Sequence, residues 1–273
     1  MTHRWRLDGR RSVLKSELEM NPLRQCGLGP RATLILPILL TLGTVNFWPE
    51  RSVGAGEVIR QNAAHKGPLK MDFSGYPGGS VMTWLETRGF KFEKDAKNRT
   101  LLRLSISSQT LELTANGRLT GFIFNDSVKV ANVRRIRINW GVTRYPQETS
   151  YEKKVNNEAL MLYVFFGKEK IASGHVLVPN SPYFIGLFLC QDEQVNFPYM
   201  GRYFHAGGRF VCLGKPEPGE QVVSEFDLDE AFKRYFNKPE TPGITGISLG
   251  IDTSKAGGDG RSSAFVRSIE FLQ

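Results

Sequence analysis

Three glutamates, Glu148, Glu152 and Glu158, follow Trp140 within one short stretch of chain. Two carboxyl groups held about 5–9 Å apart can split a glycosidic bond, one as acid and the other as nucleophile or base. The competing reading is a solvated loop, because Lys153 and Lys154 stand among these acids. A second acidic pair, Asp252 and Asp259, flanks the Gly-rich run DTSKAGGDGRSS. Calcium takes six or more oxygens from carboxylates, carbonyls and water, so such a loop can hold a structural calcium ion or be a plain hairpin loop. It lacks the spacing of an EF-hand and the Gly-Lys-Ser/Thr ending of a phosphate loop. His175 and His205 stand thirty residues apart without two further zinc ligands. No GxSxG turn supports Ser/His/Asp catalysis.

The aromatic residues near loops form a larger set. Trp140, Tyr145, Tyr151, Tyr183, Phe197, Tyr199, Tyr203 and Phe204 mix with Arg144, Asn180, Asn196, Arg202 and His205. Aromatic faces stack on the C–H edges of sugar rings, while Arg and Asn hydrogen-bond hydroxyls. The same composition also occurs on any sandwich rim, where Tyr keeps one wet end. The ligand set expected from sequence is Trp140, Tyr145, Tyr183, Tyr199, Arg202, Tyr203 and His205, centred on the segment QVNFPYMGRYFHAGG.

These residues need a scaffold, and the pattern from Leu69 onward supplies one. Short apolar runs broken by Gly, Pro and Asn extend from Leu69–Phe73 through Arg135–Val142, Leu160–Phe166, His175–Val178, Tyr183–Cys190 and Ile244–Ile251 to Ser263–Phe271. In the run from Arg135, the residues Ile136, Ile138 and Trp140 fall on one face and Arg135, Arg137 and Asn139 on the other, which describes a half-buried strand. Many short strands with frequent turn signals predict a sandwich or a barrel. One helix is written into FDLDEAFKRYFN, with Asp227 as N-cap, Glu230 completing a capping box, and Leu228, Phe232, Tyr235 and Phe236 as an apolar stripe. A shorter helix is expected between Gly79 and Arg88.

Upstream, Ala32 to Trp48 is free of charge, with Arg24 and Arg31 before it and Val53 and Ala55 spaced as a signal peptidase requires. Residues 1–55 therefore read as a signal peptide cut after Ala55, with Met20 as a better start, or as an uncleaved N-terminal anchor. Either places the remainder outside the cytoplasm, since the Lys/Arg excess lies on the N-terminal side of the apolar run. Residues 56–68 read as a mobile lead and 69–273 as one domain. Cys26 falls in the signal, leaving Cys190 and Cys212, which are either a disulfide or two buried thiols.

The chain has 273 residues, 40% of them hydrophobic, which excludes a disordered or collagenous polypeptide. Its formal charge of +9 invites a nucleic-acid reading. Residues 1–55 carry eight Lys/Arg and four Asp/Glu, however, so 56–273 has a net charge of +5. The tight basic cluster there is Arg134, Arg135 and Arg137, not the basic stripe of a nucleic-acid binder. The excess instead suits anionic envelope polymers or a membrane surface.

The order of segments carries a resemblance. YPGGSVMTW, LLRLSISS, RRIRINWGV, NNEALMLYVFF, the FDLDEAFKRYFN helix and GISLGIDTSKAGGDGRSSAFVRSIEFL together resemble domain-of-unknown-function family 3047, a set of secreted bacterial proteins. The resemblance implies a galactose-binding-like jelly roll of two packed antiparallel sheets, and implies no particular reaction. Where that family tends to carry acids, this chain has Asn156-Asn157 and Lys255; where it tends to carry Trp, this chain has Ile138. The expectation is an all-β jelly-roll sandwich with one or two short helices. Its role would be that of an extracytoplasmic, non-catalytic binding module for carbohydrate or another envelope component. The alternatives are a glycan hydrolase using the loop carboxylates and a structural domain of an envelope complex.

Overall fold

The computed structural model describes residues 69–273, so the signal or anchor, Met20, Cys26 and the 56–68 lead lie outside the described residues. In chain order the elements are β1 (Leu69–Asp72), α1 (Val81–Thr87), β2 (Lys91–Lys94), β3 (Leu102–Ser107), β4 (Thr110–Asn116), β5 (Thr120–Asn125) and β6 (Arg135–Arg144). They continue with β7 (Glu158–Ile171), β8 (Ser181–Phe188), β9 (Pro198–Tyr199), β10 (Gly208–Cys212), β11 (Val222–Asp227), α2 (Leu228–Phe236), β12 (Ile244–Asp252) and β13 (Arg261–Leu272).

The strands make a two-sheet jelly-roll sandwich: of the sandwich or barrel predicted by the pattern it is the sandwich, as the resemblance implied. The first sheet runs β11-β6-β13-β4-β3, with β1 also on β13, and the second runs β2-β5-β12-β7-β8-β10-β9. Neighbours are antiparallel except β8 and β10, which are parallel. β13 spans the first sheet: β6 follows its length, while β4 and β1 share its other edge, half each. Ser262, Ala264 and Val266 face inward, and then Ile269 and Phe271 do. A register shift between Val266 and Ser268 accounts for the change of phase, because one extra residue in a bulge turns every later side chain to the other face.

The main core lies between the sheets. Leu111, Leu113, Ile136, Ile138, Trp140 and Val266 come from the first, and Ile123, Leu162, Val164, Ile185, Leu187 and Ile247 from the second. Asp227 caps α2, accepting a hydrogen bond from the Glu230 N–H at 2.8 Å. Leu228, Ala231, Phe232 and Tyr235 are the helix's buried face. Phe232 meets Phe166 of β7 at 4.9 Å and Tyr183 of β8 at 5.6 Å, so α2 packs on the inward face of the second sheet. α1 is capped in the same way by Ser80, whose hydroxyl accepts from the Thr83 N–H.

One expected strand is absent. His175–Val178 is a turn, with Val176 and Leu177 100% and 85% exposed. The Ser173 hydroxyl contacts the carbonyls of His175 and Val178 and accepts from the His175 N–H. Local side-chain bonds of this kind compete with a ladder, and alternation alone forms no strand where no neighbour pairs with it.

Cys190 and Cys212 are bonded to each other at a separation of 22 residues, tying the end of β8 to the end of β10. Closing such a loop stabilises by roughly 3 kcal/mol. Cys190→Ala/Cys212→Ala should therefore lower the melting temperature by about 10 °C in a calorimetric scan. An unchanged melting temperature would show that the bond adds nothing to the folded state.

Candidate functional site

The second sheet has two apolar faces. In β7, Leu162, Val164 and Phe166 enter the main core, while Met161, Tyr163 and Phe165 point the other way. In β5, Ile123 is inward, and Phe122 and Phe124 are outward and only partly buried. In β8 and β10, Phe184, Phe188 and Phe210 belong to the outer layer, which also contains Tyr151 and Tyr199. Phe122, Phe124, Tyr163, Phe165, Phe184 and Phe210 of this layer floor a cleft of about 670 Å³, with Tyr151 also in its lining.

β12 explains how the floor forms. Beyond Thr245 its outward positions are Gly246, Ser248, Gly250 and Asp252, of which Ser248 and Asp252 carry side chains. Rings from β5 and β7 therefore lean over it and meet: Phe122 and Tyr163 at 5.9 Å, Phe124 and Phe165 at 5.5 Å. A Cβ on Gly250 would come within 2.6 Å of the Tyr163 ring, so the floor requires glycine there. The array continues through Phe184, 5.6 Å from Tyr163, to Phe204 at 5.4 Å and Phe210 at 5.6 Å. Edge and tilted pairs of this kind are the favoured aromatic geometry and lock the rings together.

The acidic end of the cleft is built by cross-strand pairing. Asp252 of β12 stands opposite Glu158 of β7 in the ladder. Asp252 Oδ1 accepts from Thr120 Oγ1 at 3.2 Å, the Ser254 N–H at 2.9 Å and Ser254 Oγ at 2.6 Å. Glu158 is buried, and its Oε2 accepts from the Tyr151 hydroxyl at 2.8 Å. Burial, with the nearby Asp252 charge second, pushes the Glu158 carboxyl up to about 8, so it is largely neutral at pH 7. Burial also raises Asp252, and it raises the Tyr163 phenol, with the Glu158 charge adding to the latter. Asn156 and Ser248, both on the cleft wall, have buried polar side-chain atoms without hydrogen-bond partners in the protein. Such atoms mark places where a polar ligand or water completes the hydrogen bonding.

The residues expected from sequence divide sharply. Arg202 and Tyr203 line the cleft, as do Glu158 and Asp252. Trp140 does not: it is 1% exposed in the main core, with Nε1 donating to Ser224 Oγ at 3.0 Å. The alternation that made it half of a two-faced strand put it on the buried side. Tyr183 is likewise inward, against Phe232 and Phe236 of α2. Tyr199 is buried beside Tyr151, its hydroxyl accepting from the Gln194 N–H at 2.8 Å. Tyr145 packs on the main core and donates to the Pro216 carbonyl, and burial raises its phenol to about 12. His205 is exposed and outside the cleft lining.

The three glutamates are also separated. Glu148 lies against Gly257, and Glu152 touches the Tyr199 hydroxyl at 3.4 Å; neither lines the cleft. Asp259 forms a two-oxygen ion pair with Arg144 at 2.9 Å, whereas Asp252 serves the cleft, so the two aspartates have different neighbours. Among the described residues, no three His, Cys, Asp or Glu side chains are grouped as metal donors. A smaller cavity of about 410 Å³ near Asn132 and Arg134 contains Asp229, which is already paired with Lys233.

The floor residues Phe122, Phe124, Tyr163, Phe165, Phe184 and Phe210 were outside the expected ligand set. Their signal was present in GFIF and LYVFF, where aromatic and aliphatic residues alternate. A strand apolar on both faces needs cover on both, or carries a site on one.

No family model and no curated protein matches the chain. Solved structures similar to it include a lectin from Griffonia simplicifolia (8% identity, 75% of this chain and 98% of that one, TM-score 0.37). Another is the winged bean acidic lectin complexed with methyl-α-D-galactose (11% identity, 76% and 99%, TM-score 0.35). A third is a low-affinity xylan-binding module from Roseburia intestinalis (8% identity, 75% and 94%, TM-score 0.34).

Proposed function

We propose that this protein is an exported, non-catalytic module that binds a glycan on the outer face of its second sheet. One observation carries the reading: the aromatic floor over β12 lies inside a cleft whose walls present hydroxyl, amide and charged groups. Partly exposed rings offer flat faces to the C–H edges of sugars, and the surrounding polar groups match their hydroxyls. Export is supported by the charge order of residues 1–55 and by the Cys190–Cys212 bond, since disulfides persist in oxidising compartments. Membership of domain-of-unknown-function family 3047 is part of the same proposal and rests on the order of sequence segments.

The test is a glycan array followed by calorimetric titration of the purified protein. Phe124→Ala and Tyr163→Ala should each weaken glycan binding about ten-fold, equivalent to about 1.4 kcal/mol. Melting temperatures measured alongside would show whether each variant is folded. Folded variants with unchanged affinity, or an array that retains nothing, would sink the reading.

A second reading draws on a different observation. Glu158 and Asp252 are adjacent carboxyl groups, one held neutral by burial, which is the asymmetry an acid/base pair needs. In this form the hydrolase depends on Glu158 and Asp252 rather than on Glu148 and Glu152. Reducing ends released from a bound glycan, and lost in Glu158→Gln, would favour it over simple binding.

A further inference from the structure

The charges around the cleft mouth point beyond a generic sugar site. Lys94, Lys154, Lys170, Arg202 and Lys255 all line the cleft and are all exposed. None of the five is in an ion pair among the described residues. The opposing acids in the lining are Glu93, Glu158 and Asp252. Glu158 is largely neutral at pH 7, and the five cations outnumber the acids even with all three ionised. The mouth is therefore net positive over an apolar floor.

The cations also stand at both ends. Lys94 and Lys255 adjoin the Asp252 end, with Lys94 Nζ 5.1 Å from the Phe122 ring centroid. Lys170, near the C-terminal end of β7, and Arg202, beside Tyr203, belong to the other. Along β12, Thr245 and Asp252 both line the cleft, a span of about 23 Å at the usual rise per residue. Such a groove accommodates several linked sugars, with positive charge where more than one of them would sit.

We infer that the cleft takes an acidic oligosaccharide bearing uronate carboxylates, its sugar rings on the aromatic floor and its carboxylates paired with the lysines and arginine of the mouth. This deepens the glycan reading above and rests on it. Lys and Arg donate charge-assisted hydrogen bonds to carboxylates, and at an exposed rim such pairs set specificity and salt dependence more than raw affinity.

The probes are oligogalacturonate and the same oligomer with its carboxylates methyl-esterified, titrated into the purified protein at low salt. The acid form should bind at least ten-fold more tightly than the ester, and the difference should shrink when the salt is raised to 0.5 M. Lys94→Gln/Lys255→Gln, both at exposed positions, should cost the acid form about ten-fold and the ester much less, so that the preference for the acid form narrows. Equal binding of acid and ester, or an acid affinity untouched by the double substitution, would overturn the inference. Binding of neutral glycans alone would overturn it and leave the glycan reading standing. Absence of any glycan binding would sink both.

Discussion

Trp140→Ala is expected to lower the free energy of unfolding by about 3–5 kcal/mol and to leave glycan affinity per folded molecule unchanged. Trp140 is 1% exposed and stands between Val222 of β11 and Val266 of β13 in the ladder. Truncation opens a cavity at the centre of the first sheet's inner face. It also strips Ser224 Oγ of the indole N–H that donates to it at 3.0 Å. β6 itself is held by ladder bonds on both sides, to β11 and β13, so the site relaxes only partly into the space. Urea unfolding checks the stability, and titration at a temperature where the variant is folded checks the affinity. A loss of binding at unchanged stability would return Trp140 to the ligand site. The contrast with Tyr163→Ala is the useful one, because that ring belongs to the cleft and should affect mainly binding.

The second large effect concerns pH. An isolated glutamate titrates near 4.5, whereas Glu158 in the folded chain titrates at about 8. Between those values the unfolded chain has released this proton and the folded chain still holds it. The folded state then binds more protons, so stability falls as pH rises, at up to about 1.4 kcal/mol for each pH unit across the window from about 4.5 to 8. Asp252 shifts in the same direction and adds to the trend at its acidic end. Glu158→Gln removes the titration while keeping an oxygen to accept from the Tyr151 hydroxyl. The variant should match wild type near pH 5, exceed it increasingly towards pH 8, and show a flatter pH dependence. Denaturant midpoints at pH 5, 6.5 and 8 would measure this. Parallel curves for the two proteins would show that Glu158 is ionised in the folded state.

What was legible in the sequence followed from local chemistry. The α2 cap at Asp227, its buried stripe and the inward face of β6 were readable because caps and periodicity depend on residues a few positions apart. The His175–Val178 turn was misread for a related reason: alternation signals a strand only where another strand is there to pair with it. The candidate site was legible in pieces. Arg202 and Tyr203 were named as ligand residues, whereas Glu158 was named as a candidate catalytic acid and Asp252 as a candidate calcium ligand. Glu158 and Asp252 lie far apart in the chain and become neighbours only through the pairing of β7 with β12.

The residue pattern by itself determined that the chain forms a sandwich or a barrel of short strands with one N-capped helix, because period-two burial and helix capping are properties of each segment alone; that the strands make two sheets was decided by their pairing. Only the tertiary structure decided which face of the second sheet holds the cleft. Phe122, Phe124, Tyr163 and Phe165 are as apolar as the residues of the main core. Nothing local distinguishes an aromatic residue that fills an interior from one that floors a groove. The distinction comes from what covers each face: the first sheet covers one, and on the other the small outward residues of β12 leave room for the rings of β5 and β7 to meet edge to face above it.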